Sequence, residues 1–320
     1  MQLTRRTFVT KAVVGMASLP FMKGLSSAQV RGKLGYMKIV DNTAMFMAVE
    51  KGFFTAEGLE LEPVPMAGGA LIVQGVTSGA LQIGMSNVIS LYQAHVEGFD
   101  LKLVAGGATH VKGPNEDHVL IVPQASPLIR AKDLEGKTLA VNTLHNIVHL
   151  MAMAWIDKNG ADSSKVKFVE LPFPQMEAAL VAGRVDAISI HEPFATAALE
   201  KAATRVLAHP WGDVIPKFLI AGWFASGKWI QKNKEAVQAF VRAVNRGIEA
   251  IQADPEGARD AMAKWSGLSA DLAGKIGLPV FATGLSEQDL QGTIDLTHQY
   301  KLIARPFKAR EVMSELAPKV

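Results

Sequence analysis

The sequence contains no cysteine in its 320 residues. This absence excludes disulfide bonds, thiolate metal sites, a cysteine nucleophile and the lipidated cysteine of a lipoprotein anchor. Beyond the N-terminal segment the chain has no run of 18 apolar residues, so we expect no stable membrane insertion. It also lacks a tract of lysine and arginine, and we therefore expect no nucleic-acid partner.

The first 28 residues have the order of an export signal. Arg5 and Arg6 precede a mildly apolar stretch over 9–22, and small residues lead to Ala28. This order predicts a twin-arginine signal peptide over 1–28, cleaved near Ala28, and a periplasmic mature protein. The apolar stretch is interrupted by lysine, glycine and proline and is shorter than the roughly 20 residues of a membrane span. An accidental arginine pair is the alternative interpretation.

The charge of the chain comes largely from this segment. The whole sequence has 33 Lys and Arg against 30 Asp and Glu, and 1–28 contains four of the basic residues and no acidic one. The mature chain is therefore close to neutral, with 29 basic residues against 30 acidic ones. The mature chain, at roughly 290 residues, is longer than a chain that usually folds around a single hydrophobic core, which favours two lobes.

Hydrophobic patterning predicts alternating strands and helices. In the first half we expect strands at 34–40, 59–64, 81–85 and 101–105, and helices at 44–51, 70–77 and 86–97. In the second half we expect strands at 138–141, 166–171 and 185–190, a helix after Asn142-Thr143 ending near 159, and a helix at 175–182. Such alternation indicates an α/β fold with parallel sheets and right-handed crossovers.

The two halves resemble each other. Asn42-Thr43 and Asn142-Thr143 each follow a strand and precede a helix. Gly79 and Gly183 each end a helix, where a positive φ angle costs little only for glycine. Duplicated architecture explains these pairs, and chance similarity within an α/β fold is the alternative.

The chain is expected to cross between the lobes twice. Residues 119–122 are predicted to carry it out of lobe one and residues 218–225 to bring it back, forming a hinge of two paired strands. Lobe one would then comprise 29–120 and 221–320, and lobe two 121–220. The C-terminal helices, at 231–253, 256–265, 269–274 and 286–299, are expected to pack on lobe one.

Four ordered blocks carry a family resemblance: AVEKGFFTAEGLEL at 48–61, ALQIGMS at 80–86, DLEGKTLAV at 133–141 and DAISIHEPF at 186–194. The sequence resembles the periplasmic binding proteins for nitrate, taurine, alkanesulfonates and thiamine-pyrimidine precursors over nearly the whole mature chain. Within the first block, Phe53, Phe54 and Gly58 are interpreted as folding residues.

The resemblance implies a class II periplasmic-binding-protein fold, with two doubly wound α/β lobes and a two-stranded hinge. It also implies a solute-binding component of an ABC importer, with a permease in the inner membrane as its partner. We expect a monomer with no cofactor and no enzymatic activity. The solute is expected to be a small organic molecule that is aminated, sulfonated or heteroaromatic.

Ligands of open α/β sheets bind beyond the carboxyl ends of strands, near helix N-termini. Applied to the predicted strand ends, and matching the family's binding loops, this rule selects Asn42, Thr43, Gly68, Gly69, Ser86, Asn87, Asn142, Thr143, His145, Gln175, His191 and Glu192. The Asn, Ser and Thr residues of this set could instead serve only as helix caps. Glu192 is assigned a ligand role because it ends a buried strand, and its carboxylate would suit an amino or amidine nitrogen.

Other histidine and aromatic residues have less specific interpretations. His145 and His149 have a spacing that could hold a metal, but a helix-face or cleft-lining role is favoured and no metal site is assigned. His110 and His118 flank a polar loop and reach either the cleft or water. Large aromatic residues are most often core, although one could stack on a flat ligand; the candidates are Trp211, Trp223 and Phe224.

Two other functions remain open. One is an enzyme of the same fold, like the pyridoxal-phosphate-dependent pyrimidine-synthesis proteins that the sequence distantly resembles. Those proteins require a cysteine-rich iron-binding segment, which this chain lacks. The other is a ligand-sensing subunit for a membrane receptor.

Overall fold

The fold is described from a computed structural model over residues 30–113 and 117–320. The predicted signal peptide lies outside these residues. Among the described residues, no helix combines the length and the apolar character that a membrane crossing requires.

Thirteen strands are found in the described part of the chain. They are β1 (Val30–Tyr36), β2 (Leu59–Pro65), β3 (Ile83–Asn87), β4 (Leu101–Gly106), β5 (Ala108–Val111), β6 (His118–Pro123), β7 (Thr138–Val141), β8 (Lys167–Glu170), β9 (Ala187–His191), β10 (Thr204–Ala208), β11 (Lys217–Leu219), β12 (Ala221–Ser226) and β13 (Val280–Phe281).

The α-helices alternate with these strands up to β12 and dominate after it. They are α1 (Thr43–Glu50), α2 (Phe53–Ala56), α3 (Gly69–Ser78), α4 (Val88–Val96), α5 (Ile147–Lys158), α6 (Phe173–Val181), α7 (Phe194–Leu199), α8 (Pro210–Val214), α9 (Gly227–Lys232), α10 (Lys234–Ala253), α11 (Pro255–Ser266), α12 (Ala270–Lys275) and α13 (Glu287–Gln299).

Two five-stranded sheets share one topology. The first has the order β2-β1-β3-β12-β4 and the second the order β8-β7-β9-β6-β10. In each, three parallel strands are followed by a strand antiparallel to them and an edge strand antiparallel to that one. The α/β fold class with two lobes is confirmed, and the similarity of the two halves extends to the complete sheet order.

The connection between the sheets differs from the expectation. Residues 119–122 do not form a crossing strand, because they belong to β6, an interior strand of the second sheet. The strands that pair at the crossing are β5 and β11, which form a small antiparallel sheet with β13. The returning stretch 218–225 is divided between β11 and β12. In the sequence, the apolar run 119–122 fits a crossing strand and a core strand equally well. Its burial on both faces identifies it as a core strand.

The aromatic block at 51–54 has a structural role. Phe54 is buried and its ring stacks on Phe240 of α10, while Arg246 lies over the ring of Phe53. Gly58 has a φ of 76°, and Gly79 and Gly183 also have positive φ values at the ends of α3 and α6. These positions require the conformational freedom of glycine.

Candidate functional site

A cavity of about 30 Å³ lies where loops of the two sheets meet. It is bounded by the segments that follow β1, β3, β7 and β9, by the starts of α3 and α6, and by α8. Its lining residues are Met37, Ile39, Asp41, Gly69, Asn87, Asn142, Asn146, Ile147, Val148, Phe173, His191, Trp211, Ile220 and Ala221.

The lining combines apolar walls with a few polar groups. Three asparagines, one aspartate and one histidine provide the polar side chains, and Phe173 and Trp211 provide aromatic surface. Among the described residues that line the cavity, none is a lysine or an arginine. The site therefore suits a small molecule held by hydrogen bonds and aromatic contact, because its one basic side chain, His191, is already paired with a carboxylate.

Three buried residues with ionisable side chains lie close together where the two lobes meet. Asp41 lies in a short turn after β1, and its Oδ1 atom is 2.7 Å from Nε2 of His191 at the end of β9. Asp117 precedes β6, and one potential ligand atom from each of the three residues lies within 4.8 Å of the others. All three are less than 5 % exposed. We refer to Asp41, Asp117 and His191 as the charged triad.

The charged triad is electrostatically perturbed. Burial alone would lower the pKa of His191, but the carboxylates of Asp41 and Asp117 outweigh it and raise that pKa to about 9. Burial raises the pKa of Asp117 to about 7, against the attraction of His191. At neutral pH His191 is therefore cationic and paired with Asp41. The Asp117 carboxyl has no side-chain or backbone hydrogen-bond partner among the described residues, which is costly for a buried polar group.

An aromatic layer lies beside the charged triad. The His118 ring stacks on Trp211 with centroids 4.3 Å apart, and its Nε2 atom is 2.8 Å from Ser189 Oγ. Burial lowers the pKa of His118 well below its ordinary value and lowers that of His110 to about 4, so both rings are neutral at pH 7. The buried indole N–H of Trp211 has no acceptor within the described part of the chain.

In lobe one, Gly69 and Asn87 bring backbone and amide groups to the cavity. Asn87 ends β3 and caps α4, because its Oδ1 accepts a hydrogen bond from the Ser90 N–H at 3.3 Å. A Cβ atom on Gly69 would overlap Oγ of Ser86, a fully buried side chain. The absence of a side chain at Gly69 is therefore what lets α3 begin this close to β3.

In lobe two, an extended loop separates β7 from α5. Asn146, not Asn142, caps α5, and its Oδ1 accepts from the His149 N–H at 3.1 Å. Asn146 Nδ2 also donates to Asn142 Oδ1 at 2.9 Å. The two amides thus orient each other at the cavity wall, and Nδ2 of Asn142 points away from that bond.

Further contacts hold the lobes together around the cavity. Gln93 Nε2 donates to the His145 carbonyl oxygen at 2.8 Å, and the Tyr300 hydroxyl donates to Asp157 at 2.8 Å. An exposed ion pair joins Lys275 of α12 to Glu200 after α7 at 2.6 Å. The structure therefore has its lobes in contact.

Four of the twelve predicted site residues line the cavity: Gly69, Asn87, Asn142 and His191. Gly68 and Thr143 lie near it on opposite lobes, since a Cβ on Gly68 would be 3.5 Å from Thr143 Oγ1. Ser86 is buried behind Gly69. Whether any of these residues contacts a solute stays a prediction.

The remaining predicted residues have other surroundings. Asn42 Nδ2 donates to the Met37 carbonyl and Thr43 Oγ1 to the Val40 carbonyl, so both are tied to the turn before α1. His145 has a φ of 65° and donates its N–H to Nδ1 of His149, which leaves that nitrogen engaged. Gln175 is exposed on α6.

Glu192 differs most from its expected role. Its two carboxylate oxygens accept hydrogen bonds from the N–H and the hydroxyl of Thr196, in the first turns of α7, and burial raises its pKa. It is not among the residues that line the cavity. The physical reason is local: a carboxylate just before a helix satisfies that helix's free N–H groups.

Several lining residues were not predicted. Asp41 and Asn146 stand next to predicted positions, and Met37 and Ile39 were assigned to a strand that in fact ends at Tyr36. Phe173 had no distinguishing signal. Trp211 was a candidate only as one of several aromatics, whereas Trp223 and Phe224 are buried outside the cavity.

Comparison with known proteins agrees with this architecture. A protein of Brachyspira hyodysenteriae named as an ABC transporter periplasmic binding protein is 24% identical over 242 residues, 73% of this chain and 68% of that protein. The formylaminopyrimidine-binding protein of Halalkalibacterium halodurans is 22% identical over 227 residues, 67% of this chain and 64% of that protein. Among solved structures, the alkanesulfonate-binding protein SsuA from Xanthomonas axonopodis pv. citri bound to MOPS has a TM-score of 0.78 at 20% identity, covering 92% of this chain and 100% of that one.

The structural similarity establishes the fold that the resemblance implied, that of the periplasmic binding proteins. The family model described as NMT1/THI5 like matches residues 40–258, which include both sheets' parallel strands from β2 onward and most of the cavity. The chain belongs to the NMT1/THI5-like family.

Proposed function

We propose that this protein is the periplasmic solute-binding component of an ABC importer, and that it holds its solute in the cavity between the lobes. The observation that carries the proposal is the cavity itself, since loops of two topologically equivalent sheets contribute to one mostly apolar space. Periplasmic location and cooperation with a membrane permease belong to the proposal. The names of the related proteins and the arginine pair at the N-terminus support them.

The solute class can be narrowed by the chemistry of the lining. A sulfonate or nitrate needs cationic or abundant N–H donors, and the described lining residues include neither lysine nor arginine. Asparagine amides and aromatic faces instead suit a small, planar, nitrogen-containing solute that is neutral or cationic. The formylaminopyrimidine-binding relative is consistent with this class.

No enzymatic role is proposed. The related proteins named above are binding proteins, and the polar groups of the cavity are three amides and a tightly paired Asp41–His191 couple. A sensor that presents its loaded form to a receptor would use the same cavity, and no observation favours it over import.

The experiment is a thermal-shift screen of the purified protein. A ligand that binds only the folded state raises stability by about 2.7 kcal/mol at a hundredfold excess over its dissociation constant. We expect a rise in Tm with aminopyrimidines and related aminated heteroaromatics, and none with taurine, longer alkanesulfonates or nitrate. A shift with sulfonates alone would contradict the solute class. No shift with any member, together with turnover of one of them, would contradict the binding function.

A further inference from the structure

We propose that the charged triad of Asp41, Asp117 and His191 is a binding site for one divalent transition-metal ion, with Zn²⁺ as the representative ion. The site would lie at the junction of the lobes, at one end of the cavity. This inference does not depend on the solute class proposed above.

The donor set and its spacing fit such an ion. One oxygen from each aspartate and one nitrogen from His191 lie within 4.8 Å of one another. Two carboxylates and an imidazole are donors that Zn²⁺ accepts at about 2.0–2.2 Å, and three protein ligands leave a further coordination position for another molecule. Imidazole nitrogen favours a transition metal over Mg²⁺ or Ca²⁺, which prefer oxygen ligands.

Burial makes the charge balance of the triad informative. Asp41, Asp117 and His191 are 3 %, 4 % and 3 % exposed. Buried ionised groups are costly unless they are paired or coordinate a metal. One divalent cation balances two carboxylates and a neutral imidazole exactly in charge, whereas a protonated His191 balances only one of the carboxylates.

Asp117 supplies an independent observation. It is more than nine-tenths buried, and neither of its carboxylate oxygens has a hydrogen-bond partner in the described ranges. Buried acceptors of this kind normally have a partner, and a cation within the triad would provide one.

The surroundings of the charged triad would leave a bound ion accessible from the cavity between the lobes. Asp41 and His191 line the cavity between the lobes, so the remaining coordination position would face the solute. Asp117 also lines a second cavity, of about 140 Å³, beside β5. His118 does not compete for the ion through Nε2, because that nitrogen is 2.8 Å from Ser189 Oγ.

The test is a titration of the full-length mature protein, stripped with EDTA, with ZnCl₂ alone at pH 7.5. Isothermal titration calorimetry measures the affinity and the stoichiometry, and we expect one ion per chain. Absence of stoichiometric binding would overturn the proposal.

Variants locate the ion. Asp117→Asn keeps the shape of the side chain and should weaken Zn²⁺ binding by at least about 100-fold, since loss of a mere outer-shell partner costs 10–100-fold. Asp213→Asn, at a half-exposed carboxylate paired with Lys112 outside the triad, should bind Zn²⁺ like the wild type. Unchanged affinity in both Asp117→Asn and His191→Gln would overturn the proposal.

A structural readout covers the case in which a variant fails to fold. Crystals of the wild-type protein grown with ZnCl₂ should show an anomalous peak within bonding distance of Asp117 and His191. A peak only at surface histidines, with none at the triad, would overturn the proposal.

Discussion

The same dipeptide, Asn-Thr, follows the first parallel strand of each lobe, and the two copies have different environments. In lobe one, Asn42-Thr43 lies at the start of α1, fully buried and bonded to the carbonyls of Met37 and Val40. In lobe two, Asn142-Thr143 lies four residues before α5, and Asn142 lines the cavity. Equivalent sequence positions therefore do not present equivalent side chains to a solute.

The difference follows from where each helix begins. In lobe one the residues that reach the cavity come earlier, at Met37, Ile39 and Asp41, because β1 ends at Tyr36. In lobe two the loop continues to Asn146, which takes over the capping of α5. Of these two loops, the one in lobe one thus contributes the carboxylate of Asp41 to the site and the one in lobe two contributes the amides of Asn142 and Asn146.

The lobe-one carboxylate should matter most for stability. Asp41→Asn removes the carboxylate partner of the buried His191, which we expect to cost about 3–5 kcal/mol at pH 7, as for other broken buried pairs. Urea unfolding in EDTA measures this loss. Glu200→Gln, which breaks the exposed pair with Lys275, is the control and should cost about 1 kcal/mol or less. Equal costs for the two variants would show that the buried pair has no special role.

The adjacent glycines at the start of α3 offer a second, sharper contrast. Gly69→Ala adds a Cβ that overlaps Ser86 Oγ, so we expect a loss of about 1–3 kcal/mol and weaker solute binding. Gly68→Ala adds one at an ordinary 3.5 Å from Thr143 Oγ1, with an extended backbone that alanine accepts. Thermal unfolding and solute titration of both variants check this. A Gly69→Ala protein that matches Gly68→Ala in both assays would contradict the tight packing at this edge.

The lobe-two helix should show a pH dependence. Burial lowers the pKa of His149 in the folded state to about 4, so between pH 6.5 and 4 the unfolded chain binds more protons and folding stability falls as pH falls. At about 1.4 kcal/mol per pKa unit, this residue should account for about 2 kcal/mol of the loss between pH 7 and pH 5.

Urea unfolding at a series of pH values checks that slope. His149→Gln should show a shallower loss of stability below pH 6.5 than the wild type. The control is His298→Gln, at an exposed position on α13, which measures the effect of replacing a histidine that is not buried. Identical slopes for His149→Gln and the wild type would contradict the role of burial at this position.

The smallest expected effect on stability concerns the two asparagines of the lobe-two loop, Asn142 and Asn146. Asn146→Ala removes the cap of α5 and should cost about 1 kcal/mol. Asn142→Ala leaves that cap in place, so it should cost less stability than Asn146→Ala while weakening solute binding. Chemical denaturation and solute titration of the pair measure both quantities. The comparison of the two loops fails if Asn142→Ala destabilises more than Asn146→Ala and binds solute normally.

Much of the fold could be predicted from periodicity and breakers. The strands β2, β4 and β7 lie within one or two residues of their predicted bounds, and the positive φ values of Gly79 and Gly183 were expected from their positions after helices. Short elements such as β5, β10 and β13 were not predicted.

The candidate site was harder to predict from the sequence than the fold. Some of its apolar residues are buried because they line a cavity, and others of the same type are buried in the core. The pattern predicted Met37 and Ile39 to lie in a strand, because an apolar residue that lines a cavity has the same sequence signal as one in a core. The charged triad brings together three segments whose separation in the sequence, at residues 41, 117 and 191, gives no local signal. Glu192 was assigned a ligand role because it ends a buried strand, yet its carboxylate accepts hydrogen bonds from Thr196 of α7.

The most direct test is a crystal structure of the protein with the solute that co-purifies with it. We predict density for a planar, nitrogen-containing molecule enclosed by Gly69 and Asn87 from one lobe and by Asn142 and Trp211 from the other. A solute bound elsewhere, or contacts with one lobe alone, would contradict the account.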